Sequence, residues 1–380
     1  MGTRGGRAAV GRLAVVAFAV HGVNPAIPAL REAPANGEPL EIAGIDVPSA
    51  AGPRILSVQR IWSKAPHNAF TDLALFDGNL YSTFREGGDH VSPDGALRVL
   101  ISPDGQAWRS ASRIASAGAD LRDPRLTVTP EGRLLLTGAA ALSAPRGGVT
   151  HESRAWLSSD GMAWTTGKRV ADPNVWLWRT TWHDGVSYGI GYSVDPADRF
   201  VRLYRSADGV SYEVLVDRLL RGGYPNEHGM EVLSDGTMVV LLRRDGEPGS
   251  ALLGRSAPPY TRWTWSDLGQ RIGGPDLLLL PDGRIVAGVR LHGGMVRAAL
   301  AWLDPRAGTL TEFLSLPSGG DTGYPGLVWH KERLWVSYHS SHEGKTCVYL
   351  AQVEIPPRSS GRGEQGSPGL GEQGSPGGCR

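Results

Sequence analysis

Six segments of the chain share one pattern, in which a polar turn is followed by a run of alternating apolar residues. Apolar side chains at every other position are typical of a half-buried β-strand. Asp-Gly and related turn residues supply the positive φ that a tight hairpin needs. The six segments, with turns near residues 78, 132, 185, 236, 283 and 332, read FDGNLYSTF, PEGRLLLTG, HDGVSYGIGY, SDGTMVVLL, PDGRIVAGV and HKERLWVSY. Each segment therefore predicts a β-hairpin.

The spacing of these hairpins predicts the fold. The turns recur about every 50 residues, a length that accommodates four short strands and their connections. Six such units predict an all-β fold, a six-bladed β-propeller over residues 55–356. A solenoid is the alternative, but the absence of terminal capping repeats favours a closed ring. Closure also leaves no exposed sheet edge.

A second repeated turn lies between the hairpins. Its pattern is Ser-x-Asp-Gly-x-x-aromatic, and its three copies are SPDGQAW at 102–108, SSDGMAW at 158–164 and SADGVSY at 206–212. The hydroxyl and the carboxylate can accept hydrogen bonds from the turn's own backbone, while the aromatic ring packs beneath. We interpret this motif as structural. A weakened fourth copy is SAPPYTRW at 256–263.

Composition agrees with an all-β chain and excludes some partners. Gly 52, Pro 27 and Trp 12 in 380 residues favour short strands joined by turns. The formal net charge of +1 provides no overall field to attract nucleic acid or an anionic membrane. Cys347 and Cys379 are too few for a disulfide framework and lack the spacing of a CxxC metal site. We therefore expect no metal, no cofactor and no nucleic-acid partner.

The two ends of the chain differ from the repeats. Three arginines precede the apolar run Leu13 to Val20, and small residues follow near Ala29. This order predicts a signal peptide at 1–30, with secretion or periplasmic export, and eight apolar residues are too few to span a bilayer. A disordered extension is the alternative. We expect a linker at 31–54 and a disordered, low-complexity tail at 357–380, where GEQGSPG occurs twice.

Polar residues recur at one end of the predicted hairpins. Seven residues after the turns, three of the six equivalent positions are arginine: Arg85, Arg243 and Arg290. Counting back from the turns reaches the opposite strand at the same end, and adds Arg179, Asp123, Glu227 and Tyr324. A buried charge must be paired or hydrated. We therefore expect one rim of the propeller to hold either a ligand site or a set of salt bridges between blades.

The residue types at this rim favour a particular chemistry. Several guanidinium groups around one cavity suit a carboxylate, sulfate or phosphate. A tyrosine beside a glutamate suits nucleophilic catalysis, because the carboxylate can accept the phenol proton. The stretch FREGGDH at 84–90 puts further charged groups at the end of a strand. We interpret it as one wall of the same site.

The repeated Ser-x-Asp-Gly turns in six β units resemble the Asp-box repeats of the sialidase (neuraminidase) superfamily of six-bladed propellers. NEHGMEVLSDGTMVVLLRR is similar to the family segment that carries the glutamate partner of the nucleophile and a substrate-binding arginine, which implies these roles for Glu227 and Arg243. By the same resemblance Arg290 is the last arginine of the triad, Tyr324 is the nucleophile and Asp89 is the acid/base.

The chain departs from the family pattern at the first arginine of that triad. The family carries this arginine before the first hairpin, where this chain reads PHNAFTDLALF. Arg60, Arg85 and Arg179 are the candidates to replace it. The predicted function is an exo-glycosidase that removes a terminal acidic sugar, sialic acid or a related one, from a glycan. The alternatives are a non-catalytic glycan-binding propeller and a purely structural one, and we expect a monomer.

Overall fold

A computed structural model describes residues 52–358, and this part of the chain is built from β-strands. The 24 strands form six four-stranded antiparallel sheets, arranged as the blades of a propeller. The prediction of an all-β, six-bladed propeller is therefore confirmed. The described residues include no helix able to cross a membrane. The predicted signal peptide at 1–30, most of the linker at 31–54 and nearly all of the tail at 357–380 lie outside the described residues.

The first three blades follow one another along the chain, each ordered from the channel outward. Blade 1 consists of β2 (His67–Phe76), β3 (Asn79–Gly87), β4 (Ala96–Ser102) and β5 (Arg109–Ile114). Blade 2 consists of β6 (Ala119–Val128), β7 (Leu134–Arg146), β8 (Val149–Ser158) and β9 (Lys168–Val170). Blade 3 consists of β10 (Val175–His183), β11 (Val186–Ser193), β12 (Phe200–Ser206) and β13 (Glu213–Arg221).

The remaining blades repeat this plan until the ring closes. Blade 4 consists of β14 (Pro225–Val232), β15 (Met238–Arg244), β16 (Leu252–Ser256) and β17 (Thr264–Asp267). Blade 5 consists of β18 (Ile272–Leu279), β19 (Ile285–Leu291), β20 (Arg297–Asp304) and β21 (Thr309–Ser315). Blade 6 consists of β22 (Gly323–His330), β23 (Arg333–Ser340), β24 (Cys347–Glu354) and the first strand of the chain, β1 (Arg54–Trp62).

The last blade closes the ring with strands from both ends of the described chain. β1 pairs antiparallel with β24, from Arg54 opposite Glu354 to Trp62 opposite Val348. This pairing gives the outer edge of β24 a hydrogen-bonded partner. Because β1 leads directly into blade 1, it also ties the first blade to the last. The interfaces between blades are apolar. In one of them Leu241 of blade 4 packs in a buried cluster with Leu277 and Ala287 of blade 5.

The Ser-x-Asp-Gly turns connect the third and fourth strands of blades 1, 2 and 3. In the first copy the Ser102 hydroxyl accepts a hydrogen bond from the Gly105 amide at 2.8 Å, and the Asp104 carboxylate accepts one from Gln106 at 2.8 Å. The Trp108 indole donates to the Gly105 carbonyl at 3.1 Å. The copies at 158–164 and 206–212 make the same serine and aspartate contacts. These turns therefore satisfy their own backbone groups and stabilise the hairpins.

All six innermost strands carry an irregularity at the same height. In each, two consecutive residues are unpaired with the second strand of the blade: 70–71, 123–124, 178–179, 226–227, 274–275 and 324–325. Phe70, Asp123, Gly274 and Tyr324 have positive φ there. Such bulges turn side chains out of the regular alternation. The six bulges together define the mouth of the central channel.

Candidate active site

The bulged residues of different blades meet at the channel mouth. The ring of Tyr324 from blade 6 lies 5.1 Å from that of Phe70 in blade 1 and 5.9 Å from that of Trp178 in blade 3, measured between centroids. Glu227 arrives from blade 4. A single small region therefore receives residues that are far apart in sequence, because the ring brings every inner strand to the same axis.

Tyr324 and Glu227 form the centre of this region. The Tyr324 hydroxyl donates a hydrogen bond to Glu227 Oε1 at 2.7 Å. Glu227 Oε2 accepts one from Arg243 Nη1 at 2.7 Å and one from the Gly274 amide at 2.8 Å. The glutamate is buried, yet each of its oxygens has a fixed donor. The pair is thus held for transfer of the phenol proton to the carboxylate.

The electrostatics of the pair agree with this arrangement. Burial raises the pKa of Glu227. The charge of Arg243 and the hydrogen bonds donated to the carboxylate outweigh burial, and they leave that pKa below its usual value. Burial and the neighbouring Glu227 charge raise the pKa of Tyr324 above its usual value. At neutral pH the carboxylate is therefore ionised and the phenol keeps its proton. This state is the one in which Glu227 can act as base towards Tyr324.

Gly274 makes room for the pair. Its φ is +53°, a value that L side chains rarely adopt, and its amide is one of the donors to Glu227. A Cβ added at this glycine would lie 2.6 Å from Cγ of the Tyr324 ring, which is closer than atoms approach without displacement. The glycine thus lets the backbone of blade 5 approach both members of the pair.

The two arginines predicted to bind an anion both contact Tyr324. Arg243 Nη1 is 3.1 Å from the Tyr324 hydroxyl, and the same side chain pairs with Asp245 at 2.9 Å. The Arg290 guanidinium lies over the Tyr324 ring, 4.9 Å from its centroid. Arg290 Nε donates to the Thr322 carbonyl, and its buried Nη2 lies 3.5 Å from Asp321 Oδ1, at ion-pair distance. Thr322 and Asp321 therefore hold Arg290 beside Tyr324.

Asp123 lies in the bulge of blade 2 and belongs to the same electrostatic environment. Its side chain is buried, and burial raises its pKa despite the nearby charges of Arg122 and Arg125. The charge of Asp123 also contributes to the raised pKa of Tyr324. The structure thus brings together Tyr324, Glu227, Arg243, Arg290 and Asp123 of the residues singled out in the sequence.

Arg85 lies elsewhere. It is completely buried and its Nε pairs with Asp120 at 2.7 Å. Its Nη1 donates to the Asp89 carbonyl at 2.7 Å and its Nη2 to Ser92. All of its nitrogens are thereby engaged with the chain, so this arginine holds the loop between β3 and β4 and has no N–H directed at a ligand.

Asp89 lies in the loop that Arg85 holds. Its side chain is exposed, and its Oδ1 accepts a hydrogen bond from the amide of the next residue, His90, at 2.6 Å. The ring of His90 lies 5.1 Å from the Phe70 ring, which in turn contacts Tyr324. The loop therefore borders the mouth, while the Asp89 carboxylate faces solvent.

Two further candidates for the missing arginine pair with carboxylates outside the mouth. Arg179 belongs to the bulge of blade 3, but its Nη1 pairs deeper in the channel with Asp72 at 2.9 Å and with Asp276 at 3.1 Å. Arg60 is on β1, the outermost strand of blade 6, and pairs with Glu343 at 2.7 Å. With Arg85 engaged by the β3–β4 loop, none of the three candidates replaces the first arginine at the mouth.

The sequence reasoning missed the aromatic wall of the site. Trp176 and Tyr192 of blade 3 stack with ring centroids 5.7 Å apart, and Trp178 continues the wall to Tyr324. Arg125, which the sequence did not single out, stacks over Trp178 at 4.5 Å. The sequence does carry a signal for the bulges. Residues 123, 274 and 324 are each followed by proline, at equivalent places in three inner strands. Proline lacks the N–H of a regular ladder and so marks a bulge.

Solved structures with this fold include glycoside hydrolases. A protein of unknown function from Dyadobacter fermentans aligns with a TM-score of 0.71 at 20% identity, covering 80% of this chain and 100% of that one. Penicillium chrysogenum α-L-arabinanase, complexed with arabinobiose, gives 0.62 at 18%, covering 78% and 98%. Trypanosoma rangeli sialidase, in complex with the inhibitor DANA, gives 0.60 at 13%, covering 77% and 55%. No protein-family model and no curated protein sequence matches this chain.

These likenesses identify the class of fold. The chain adopts the six-bladed propeller of sialidases and arabinanases, as the resemblance of its repeats predicted. Identities of 20% or less carry the fold and no more. Any activity must therefore be argued from the side chains at the mouth of this channel.

Proposed function

We propose that this protein is an exo-glycosidase of the sialidase type, which hydrolyses a terminal acidic sugar from a glycan. The observation that carries the proposal is the 2.7 Å hydrogen bond from the Tyr324 hydroxyl to the buried Glu227 carboxylate. A tyrosine paired with a glutamate is the nucleophile arrangement that distinguishes sialidases from glycosidases with two carboxylates. The glycoside hydrolases among the structural neighbours support the same class of reaction.

The reaction proceeds in two steps. Tyr324 Oη attacks the anomeric carbon while Glu227 takes the phenol proton, and the carboxylic acid of Asp89 gives its proton to the departing glycosidic oxygen. The Asp89 carboxylate then removes a proton from water, which attacks the anomeric carbon and releases Tyr324 Oη. Glu227 returns its proton to that oxygen. A phenol nucleophile suits an anionic sugar, because it brings less negative charge to the substrate than a carboxylate does.

The substrate class follows from the arginines. The guanidinium groups of Arg243 and Arg290 both lie beside Tyr324, where their positive charges attract a carboxylate on the sugar. We further propose that the protein is exported, as its N-terminal sequence predicts, and acts on glycoconjugates as a monomer. Sialic acid or a related acidic sugar is the proposed terminal residue.

Hydrolysis of fluorogenic glycosides tests this function. The panel contains an α-sialoside, other acidic glycosides and an α-L-arabinofuranoside, the last because one structural neighbour is an arabinanase. We expect release from an acidic glycoside, and a loss of kcat of at least ~10³-fold in Tyr324→Phe. Tyr188→Phe is the matched control, since Tyr188 lies near the hairpin turn of blade 3, away from the mouth, where its ring contacts Tyr260. Failure to cleave any glycoside, or full activity of Tyr324→Phe, overturns the proposal.

A glycan-binding propeller is the second candidate, and one observation favours it. None of the three candidates Arg60, Arg85 and Arg179 takes the place of the first triad arginine, and Arg243 is already engaged by Glu227 and Asp245. A binding protein retains its affinity for an acidic glycan in Tyr324→Phe, whereas it releases no sugar with either form. Calorimetric titration of the wild type and the variant separates the two candidates.

A further inference from the structure

Three histidines surround one aspartate beside the channel mouth. Asp321 lies in the segment between β21 and β22, and its Oδ2 is 2.8 Å from His67 Nε2 and 3.1 Å from His90 Nδ1. His339 Nε2 approaches the other oxygen, Oδ1, at 3.4 Å. The four residues come from blade 1, the β3–β4 loop and blade 6. The Tyr324–Glu227 mechanism uses none of them.

His339 fixes the orientation of the carboxylate. The Phe70 amide donates a hydrogen bond to His339 Nδ1 at 3.1 Å, so that nitrogen carries no proton. In the neutral ring the proton is then on Nε2, which faces Asp321 Oδ1. The arrangement leaves Oδ2 facing His67 and His90. A histidine that positions a carboxylate through its second oxygen is typical of the shell that supports a metal ligand.

The remaining three groups have the composition and spacing of a metal site. His67, His90 and Asp321 each offer one ligand atom, and these atoms lie within 4.8 Å of one another. Two imidazoles and one carboxylate at ~2.0–2.2 Å from a tetrahedral ion stand ~3.3–3.5 Å apart. The distances from Asp321 Oδ2 to the two histidine nitrogens, 2.8 and 3.1 Å, need to widen by only a few tenths of an ångström. The two histidine nitrogens lie within 4.8 Å of each other. Three protein ligands leave one coordination position open.

We propose that His67, His90 and Asp321 bind a divalent transition-metal ion, with zinc as the best match to their donor atoms. Ions can enter from solvent, because the side chains of His90 and Asp321 are 49% and 26% exposed whereas that of His67 is buried. Arg290 Nη2 lies 3.5 Å from Asp321 Oδ1, and its positive charge moderates the affinity for the ion. The ion site is therefore at the edge of the channel mouth, where the bound ion can exchange with solvent.

The position of the ion suggests its use, and this step rests on the proposed function. His67 begins β2, within the stretch PHNAFTDLALF where the resemblance to sialidases leads one to expect the first arginine. The His67 and His90 rings both lie close to Phe70, at 6.1 and 5.1 Å. A cation with an open position here supplies the positive charge that the missing arginine does not, and takes a carboxylate or hydroxyl oxygen of the sugar.

Zinc titration of the untagged, full-length protein after chelator treatment tests the ion site without reference to activity. Calorimetry is expected to give one zinc per chain, and substitution of cobalt is expected to give the visible absorption of a tetrahedral site. His90→Gln and Asp321→Asn should each weaken zinc binding by at least ~10-fold. His183→Gln is the matched control, because His183 pairs with Asp184 outside the cluster. Its zinc affinity should equal that of the wild type.

The outcomes distinguish the ion site from the proposed function. Absence of zinc binding, or zinc binding that is unchanged in both His90→Gln and Asp321→Asn, overturns the ion site whatever the enzyme does. Stoichiometric binding that both variants weaken supports it, even if no glycoside in the panel is cleaved. His90→Gln is the variant least able to disturb folding, since its side chain is half exposed.

Discussion

Two layers of the central channel contain the same types of residue and differ in what those residues bond to. At the mouth, Arg243 and Glu227 meet each other and the hydroxyl of Tyr324. Deeper in the channel, Arg179 meets Asp72 and Asp276. Both layers are arginine–carboxylate clusters at the centre of a ring of blades. By charge alone they are indistinguishable.

The partners of the deeper layer are largely backbone groups of neighbouring blades. Asp72 Oδ2 accepts a hydrogen bond from the Leu126 amide at 2.8 Å, and Asp276 Oδ2 accepts one from Leu327 at 3.0 Å. Arg179 Nη2 donates to the Pro325 carbonyl at 3.0 Å. These contacts join blades 1 and 2, 5 and 6, and 3 and 6. The deeper layer therefore stabilises the ring, whereas the mouth holds the Tyr324 hydroxyl beside the guanidinium groups of Arg243 and Arg290.

Replacing Arg179 is expected to have the largest effect. In Arg179→Met, Asp72 and Asp276 lose their shared cation while both remain buried, which costs about 3–5 kcal/mol in the free energy of unfolding. Denaturant unfolding followed by tryptophan fluorescence measures the loss. An equally stable Arg179→Met would contradict the assignment of the deeper layer to stability.

Replacing Glu227 should reduce activity much more than stability. Glu227→Gln keeps the shape of the side chain but removes the base for Tyr324, so kcat on the best glycoside should fall by about 10²–10³-fold. The stability loss should be smaller than in Arg179→Met, because Arg243 keeps Asp245 as an ionic partner. Steady-state kinetics and the same unfolding assay, run side by side, give both values. A variant that loses stability but keeps its turnover would show that the mouth is a second structural layer.

The pH dependence of stability sharpens the comparison at the far end of the channel. Burial raises the pKa of Glu231 from its usual 4.5 to about 8 in the folded chain. Folded Glu231 is thus neutral where the unfolded chain is ionised, so it lowers stability as pH rises from about 5 to 8, by at most ~1.4 kcal/mol per pH unit. Glu231→Gln lacks this loss.

The advantage of Glu231→Gln over the wild type should therefore grow with pH. Unfolding midpoints at pH 5, 6.5 and 8 measure it, with Glu213→Gln as control, since Glu213 forms an exposed pair with Arg205. A difference between Glu231→Gln and the wild type that is constant across this range would exclude the neutral carboxyl.

The smallest effect is expected from Arg60, which sequence reasoning had left among the ligand candidates. Its pair with Glu343 is on the outermost strand, and both side chains are more than 40% exposed. Arg60→Ala should change the free energy of unfolding by less than ~0.5 kcal/mol and glycoside turnover by less than about twofold. A large loss of turnover would place Arg60 in the site after all.

The fold was predictable because each blade repeats the same local signals. Asp-Gly turns and alternating apolar residues recur often enough to identify six units without any long-range information. The meeting of Tyr324, Glu227 and Arg243 was predictable for the same reason, since equivalent positions in equivalent blades face the same axis. Counting from the turns therefore located the height at which these residues lie, although Glu227 and Tyr324 are in bulges.

The remaining contacts depend on features that counting does not contain. Arg85 occupies an equivalent position to Arg290, yet Asp120 and the β3–β4 loop engage it. The bulges of the inner strands shift the register, so Arg243 lies opposite a bulge whereas Arg290 pairs with Gly273. The His67, His90 and Asp321 cluster joins three segments with no spacing in common. Only the folded chain brings those residues together.

Trapping of the glycosyl-enzyme tests the central claim, that Tyr324 is the nucleophile, most directly. The reagent is the fluorinated, activated analogue of whichever sugar the glycoside panel identifies, which slows release of the covalent intermediate. Intact-mass and peptide analysis should find one sugar per chain, attached to the peptide that contains Tyr324 and absent from Tyr324→Phe. A sugar attached to Glu227 or to any other carboxylate would contradict the account.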